Sequence, residues 1–293
     1  MADWVIRCGG LIKPALNCLK SHLLDQNIIH ADETPLKVIH EDKQKSYMWV
    51  YCTGTDSPKT QSTHKNIVLY DFHASRAASC PNGFLGNYQG YLQVDGYSAY
   101  EQTQAQLVGC MAHARRKFIE AKKAQPKGKT GKADWAINHI QKLYALESRI
   151  KNLEPKQRYE RRQADAVPLL NEFKQWLDKS ILTVTPKSAL GKALTYAVNQ
   201  WSKLNQYVSS GDLSIDNNRA ERAIKPFVIG RKNWMFSNTA RGATASAELY
   251  SVIETAKANG IEPLKYIQAL LEELPKRKQD ESVEDLMPWA IKV

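Results

Sequence analysis

Three carboxylates in this chain have the type and setting needed to work on a phosphodiester. Asp32 closes the apolar run Ile28-Ile29-His30-Ala31, just before Glu33-Thr34-Pro35, and Asp95 closes a second run, Tyr91-Leu92-Gln93-Val94, just before Gly96-Tyr97. Glu221 lies in a basic, amide-rich stretch, Asn217-Asn218-Arg219-Ala220-Glu221-Arg222-Ala223-Ile224-Lys225. Two acids at strand ends and a third on a helix are the parts of a paired divalent-metal site. Mg²⁺ takes hard oxygen ligands, and two ions about 3.5–4 Å apart clamp attacking and leaving oxygens. If 216–225 is helical, Asn217, Glu221 and Lys225 share one face, so that a metal on Glu221 would bring Lys225 to a phosphate. Against this stands a plain reading: acids are common at strand ends and on exposed helices, and any one of the three alone is more simply a surface residue.

The elements that must position these acids follow from periodicity. Residues 2–25 carry Trp4, Val5, Leu11, Ile12, Ala15, Leu16, Leu19 and Leu23 at helical spacing, with a break expected near Gly9, Gly10 and Pro14. Five runs of strand length and composition follow, at Ile28–Asp32, Tyr47–Thr53, Ile67–Phe72, Tyr91–Asp95 and Leu107–Met111. Ala77–Tyr88 reads as a short helix interrupted by Pro81 and Gly83. From Ala112 to about Ser210 the pattern is helical throughout, with a basic loop at Lys127–Lys132. A helix over 216–225 is expected next, ended or kinked by Pro226. Ala243–Asn259 and Pro263–Leu274 are the last two helices, and the mixed charges after Pro275 read as a mobile tail.

With 293 residues the chain has room for a sizeable core, and 43% hydrophobic with 24% charged residues is ordinary for a folded soluble protein. The formal net charge of +11 is not ordinary, and it points to nucleic acid or another anionic partner. No apolar run approaches the roughly 20 residues that span a bilayer, so no membrane partner is expected. Five irregularly spaced cysteines suit free thiols in a reducing cytoplasm.

Four motifs in order, HADETP (30–35), YLQVDGYSAY (91–100), GCMAHARRKF (109–118) and NNRAERAIKPFVIGRKNWMFS (217–237), resemble the catalytic region of the insertion-sequence-66 family of bacterial transposases. The likeness extends through Arg241-Gly242-Ala243 and Asn259-Gly260-Ile261-Glu262-Pro263. It implies an α/β fold with a ribonuclease-H-like mixed sheet interrupted by an all-helical insertion. The segments would be an N-terminal helical segment (1–27), the first part of the core (28–111), the insertion (112–211), the second part carrying the Glu (212–260) and a C-terminal helix and tail (261–293). It also implies a catalytic, metal-holding triad of Asp32, Asp95 and Glu221 with two Mg²⁺ ions, Mn²⁺ substituting. The activity implied is cleavage at transposon ends and transfer of the 3′-hydroxyl into target DNA. DNA is the implied partner, bound by a homo-oligomer with accessory proteins of the same element, in the bacterial cytoplasm and at the nucleoid. Full-length relatives carry a long N-terminal region that Met1 falls beyond. The alternative is therefore a truncated, inactive DNA-binding remnant that modulates an intact transposase.

Cys110 and His113 have the spacing of two zinc ligands, but no second pair stands at suitable spacing. The resemblance offers His113 an active-site role instead, and a buried Cys beside a hydrogen-bonded His accounts for the pattern equally well. Basic residues gather in two groups. Arg115, Arg116, Lys117, Lys122 and Lys123 form one; Arg222, Lys225, Arg231, Lys232 and Arg241 form the other, with Trp234 interleaved to stack on an unpaired base. A charge run is often only a solvated face; both groups flank the candidate ligands, which favours DNA contact.

Overall fold

The computed structural model describes residues 2–40, 45–55, 65–125, 130–233, 235–278 and 280–292. Helices α1 (Ala2–Leu11) and α2 (Lys13–Leu24) lead into strands β1 (Ile28–Leu36), β2 (Ser46–Cys52) and β3 (Val68–His73). Helix α3 (Ser79–Leu85) precedes the short strands β4 (Tyr91–Gln93) and β5 (Gln106–Val108). Helices α4 (Met111–Lys123), α5 (Lys132–Ile150), α6 (Pro155–Arg161), α7 (Val167–Ile181), α8 (Ala189–Asn199) and α9 (Trp201–Asn205) follow without a strand among the described residues. The chain ends with α10 (Asn218–Ala223), α11 (Lys225–Asn233), α12 (Ala240–Ala258) and α13 (Pro263–Glu273). It is an α/β protein with a five-stranded mixed sheet of order β3-β2-β1-β4-β5. Two compact units emerge: one of residues 1–92, 98–106 and 218–293, the other of 93–97 and 107–217.

In the first unit β1 and β2 pair antiparallel, as do β2 and β3. Side chains alternate across a pleated strand, so the register sorts them. Asp32 stands opposite Val50, and Val50 opposite Tyr70; Glu33 stands opposite Trp49 on the other face. The Asp32 face carries a core of Met48, Val50, Cys52, Val68 and Tyr70, closed by Ala220, Ala223, Ile224 and Phe227. On the Glu33 face, Tyr51 stacks on Phe84 at 3.8 Å and Trp49 meets Tyr100 edge-on at 5.7 Å.

Strand β3 lies at the sheet's edge, and α12 covers that edge with hydroxyls. Thr255 accepts from the Val68 N–H at 3.0 Å and donates to the Val68 carbonyl at 2.9 Å, while Ser251 accepts from the Tyr70 N–H at 2.8 Å. The match is geometric: four residues of helix rise about 6 Å, close to the span of two strand residues. Helix α1 also packs on α12, and a Cβ at Gly9 would lie 2.3 Å from Glu248 Oε2 and 3.4 Å from Ala245. The glycine is what lets the two helices approach, and the burial that results raises the Glu248 carboxyl above its ordinary range.

The second unit is a helical assembly in which α4 packs on α5 and α8, and α7 on α5 and α8. Trp135 stacks on Trp176 at 4.5 Å and on His139 at 4.7 Å, with Phe173 and Phe118 beneath. Among the described residues its one fully buried arginine or lysine is Arg162, which opens a π-helical turn, Arg162–Ala166. Arg162 makes a bidentate pair with Glu147 (2.9 and 2.7 Å) and donates to the carbonyls of Tyr207, Ser210 and Leu213.

Six sequence expectations need correction. Strand β1 runs on through Pro35 to Leu36, so Asp32 is mid-strand; β4 stops at Gln93, so Asp95 lies two residues beyond it. The run Leu107–Met111 divides at Gly109, with Met111 already helical. Helix α3 contains Pro81 and Gly83 unbroken, because Pro81 sits in the first turn, where no backbone N–H has an intrahelical partner. The expected helix 216–225 begins only at Asn218 and stops at Ala223. Ile224 is a turn, and Lys225 and Pro226 open α11, so Asn217, Glu221 and Lys225 do not share a helical face. The C-terminal segment is not a mobile tail: Leu286 and Met287 are buried, and the Tyr266 hydroxyl donates to the Leu286 carbonyl at 3.0 Å.

Candidate active site

Asp32 is half-buried on β1, the middle strand of the sheet order. Its Oδ1 accepts the backbone N–H of Glu33 at 2.9 Å. Helix α10 packs against β1 and β2, on the face that Asp32 shares with Val50. Ala220 and Ala223, one turn apart, let that short helix lie close to the strands. Two further bonds pin it: the Tyr70 hydroxyl donates to the Ala223 carbonyl at 2.5 Å, and Arg219 Nη2 donates to the Thr53 carbonyl at 3.1 Å. The half-buried Glu221 is carried by this pinned turn. The first unit therefore brings Asp32 and Glu221 to one face of the sheet.

Glu33, one residue on, is turned to the opposite face. Arg76 Nε donates to its Oε1 at 2.9 Å, Arg76 Nη2 pairs with the same oxygen, and the Tyr100 hydroxyl donates to Oε2 at 2.6 Å. Burial, then the charge of Glu33, push the Tyr100 phenol far above its usual range, so it acts only as a donor here. The Asp-Glu pair is thus divided between a candidate ligand and an internal anchor. Glu33→Gln should take the charge from both hydrogen bonds that Arg76 makes to this side chain and lower the melting temperature by several degrees in a thermal melt.

In the second unit Asp95 opens a tight turn, its Oδ1 accepting the Tyr97 N–H at 2.8 Å. Gly96 is required by Tyr196: a Cβ there would come within 2.9 Å of the ring and 3.0 Å of the hydroxyl oxygen. Burial first, and the nearby Asp95 carboxylate second, raise the Tyr196 phenol, while Arg116 opposes the shift. Asp95, Tyr196 and Arg116 are therefore electrostatic neighbours. Sequence reasoning passed over Tyr196, and no local motif marks it. Cys110 is buried at the N-cap of α4, and its sulfur accepts the Asn217 N–H at 3.2 Å; His113 lies in the first turn of that helix.

The basic candidates have unequal surroundings. Arg116 and Lys123 are exposed on α4, and Arg115 is half-buried. Lys117 pairs with Glu120 at 3.6 Å, and Lys122 with Asp134 at 2.6 Å. Arg222, Lys225, Lys232 and Arg241 are exposed, while Arg231 donates to the Pro35 carbonyl at 2.9 Å. Lys127 and Trp234 lie outside the described residues. A cavity of about 450 Å³ in the first unit is lined by Lys37, Lys45, Arg231 and Lys232, with Pro35, Leu36 and Met235. Lys37 and Lys45 are far from Arg231 in sequence and were not foreseen; they stand at the paired ends of β1 and β2, Lys37 just after Leu36 and Lys45 just before Ser46.

The pattern of the Transposase IS66 family matches residues 1–245, and that of the IS66 C-terminal element matches 251–289. Relatives in Sinorhizobium fredii (strain NBRC 101917 / NGR234) include the uncharacterized protein y4qI, 29% identical over all of this chain and 56% of its own length. The uncharacterized protein y4jD is 28% identical over 98% of this chain and 58% of its own length. The chain thus spans somewhat more than half the length of these curated relatives. No solved structure gives a significant match. Two family patterns that together reach from residue 1 to residue 289 place this chain in the IS66 family of transposases.

Proposed function

We propose that this chain is the catalytic region of a DNA transposase with a ribonuclease-H-like core, using Asp32, Asp95 and Glu221 as its metal-holding acids. The observation that carries the reading is the placement of Asp32, on the middle strand, on the sheet face that the Glu221 helix covers. The run of helices from α4 to α9, with no strand among the described residues between β5 and α10, supports the fold reading. An all-carboxylate donor set fits Mg²⁺, or Mn²⁺ in its place, better than a softer metal. When bound there, the ion pair supplies the charge that activates water or a 3′-hydroxyl and eases departure of the 3′-oxygen. The protein's own part is placement: the pinned α10 fixes Glu221, and the Tyr97 N–H holds Asp95. The cavity bearing Lys37, Lys45, Arg231 and Lys232, together with Arg116, Lys123, Arg222, Lys225 and Arg241, would bind DNA phosphates.

A strand-transfer assay with pre-cut ends tests the activity. Joined products that need Mg²⁺ or Mn²⁺ and vanish with chelator are expected; no product from this chain or from one extended at its N-terminus would favour the inactive DNA-binding remnant. Replacing the exposed Lys37, Lys45 and Lys232 with Ala should weaken binding to two unrelated duplexes alike. It should also flatten the slope of log K against log salt by about 0.9 per lost phosphate contact, measured by fluorescence anisotropy. An unchanged slope would make the cavity a merely solvated face.

A further inference from the structure

A second group of ligand-bearing side chains lies in the first unit, in residues that the proposed activity does not use. Cys18 and His22 stand four residues apart on α2 and so share one face of that helix. Glu284 comes to the same place from the turn Glu284–Leu286 near the C-terminus. Its Oε1 accepts from the Cys18 thiol at 3.3 Å, and both carboxylate oxygens lie 2.8 Å from His22 Nε2. One ligand atom from each of the three falls within 4.8 Å of the other two. We propose that Cys18, His22 and Glu284 form a zinc-binding site that fastens the C-terminal segment to α2.

The donor set selects the metal class. A thiolate, an imidazole and a carboxylate are the ligands of Zn²⁺, whereas Mg²⁺ and Ca²⁺ take oxygen alone. Three protein ligands leave a fourth tetrahedral position, and the Glu284 side chain, 56% exposed, opens the group to solvent water. The group stands close to coordination: bonds of about 2.0–2.3 Å need only small shifts of ligand atoms that already lie within 4.8 Å of one another.

Lys65 sets the terms of binding. Its ammonium lies 2.9 Å from His22 Nδ1 and 4.3 Å from the Trp289 ring centroid, while that ring meets His22 edge-on at 5.0 Å. An ammonium only donates, so Nδ1 accepts and Nε2 carries the ring hydrogen toward Glu284. Coordination through Nε2 moves that hydrogen to Nδ1, leaving the imidazole neutral, and turns Lys65 away toward Trp289. The Cys18 thiol gives its proton to solvent as the metal–sulfur bond forms, one proton for each ion bound. Because the thiol must lose its proton to bind, affinity should climb as pH rises. Lys65 is a built-in antagonist of the metal.

The test uses the full chain, stripped with chelator and titrated with Co²⁺. Binding should give a thiolate-to-cobalt absorption in the near ultraviolet with the strong visible bands of a tetrahedral ion. Zn²⁺ should displace both, and it should raise the melting temperature. Cys18→Ser should abolish the near-ultraviolet absorption, Glu284→Gln should weaken binding tenfold or more, and Lys65→Met should tighten it severalfold; Cys8→Ser should change nothing. A thiolate absorption that persists in Cys18→Ser, or a folded protein with none at all, would overturn the proposal and leave a hydrogen-bonded latch. Mg²⁺ on the three acids gives no such absorption, so this result and the fate of the transposase reading are separate.

Discussion

Asp95→Asn should abolish end cleavage and joining while leaving the fold and the affinity for DNA intact. The loss expected is at least the hundred- to thousandfold that follows removal of one preorganised charge-stabilising group, and larger because a metal ligand is removed. The turn survives, because the Asn carbonyl can still accept the Tyr97 N–H that Asp95 Oδ1 now holds at 2.8 Å. DNA affinity should be equal or slightly higher: a charge removed about 4 Å from a phosphate is worth about 1 kcal/mol in water. Parallel strand-transfer and anisotropy assays check both halves. Activity equal to wild type would refute the triad, and weakened DNA binding would assign Asp95 to structure instead.

Arg162→Met should be among the most destabilising changes in the helical unit. The side chain is 2% exposed, and its five hydrogen bonds join Glu147 on α5 to three carbonyls between Tyr207 and Leu213. Methionine fills similar volume but leaves the largely buried Glu147 carboxylate without its partner, which costs roughly 3–5 kcal/mol. For a unit of this size that lowers the melting temperature by about 10–20 °C. Arg162→Lys should fall between, since an ammonium cannot reproduce the planar fork that meets Glu147 at two points. Thermal melts of the three proteins decide it; identical melting temperatures would mean that the carbonyls and Glu147 find other partners. The segment this arginine gathers leads directly into the Glu221 helix, so partial loss of activity below the transition should accompany the change.

Much of this arrangement was legible in the sequence because the strands carry strong local signals. Tyr47–Cys52 and Val68–Phe72 are dense in β-branched and aromatic residues, and both stand where expected. The errors have physical causes. Pro35 disguised the end of β1, since a proline reads as a strand terminus although it can occupy a strand position. Leu107–Met111 was apolar throughout, and an apolar run of that length does not separate a strand's end from a helix's first turn. Pro226 interrupted its helix at Ile224, because a proline has no N–H for the carbonyl four residues back and its ring crowds that carbonyl. In the C-terminal segment, charges masked the buried Val283, Leu286 and Met287; the segment is held by partners distant in sequence, Glu284 by His22 and the Leu286 carbonyl by Tyr266. Tyr196 and the Lys37–Lys45 cavity were beyond any local reading, for they arise from chain segments distant in sequence. The acids themselves were visible as types in context; that Asp32 and Glu33 face opposite ways follows only once the register is known.

The hydroxyl row on α12 bears on how this family could be divided. Matched family patterns separate between residues 245 and 251, yet α12 runs unbroken from Ala240 to Ala258, and Ser251 and Thr255 lie in its second half. A chain cut at that boundary would keep the five strands but bare the outer backbone of β3, whose Val68 and Tyr70 amides would face water. An uncovered strand edge is a template for another strand. The C-terminal element is, on this view, the guard that keeps one copy's sheet from extending into the next.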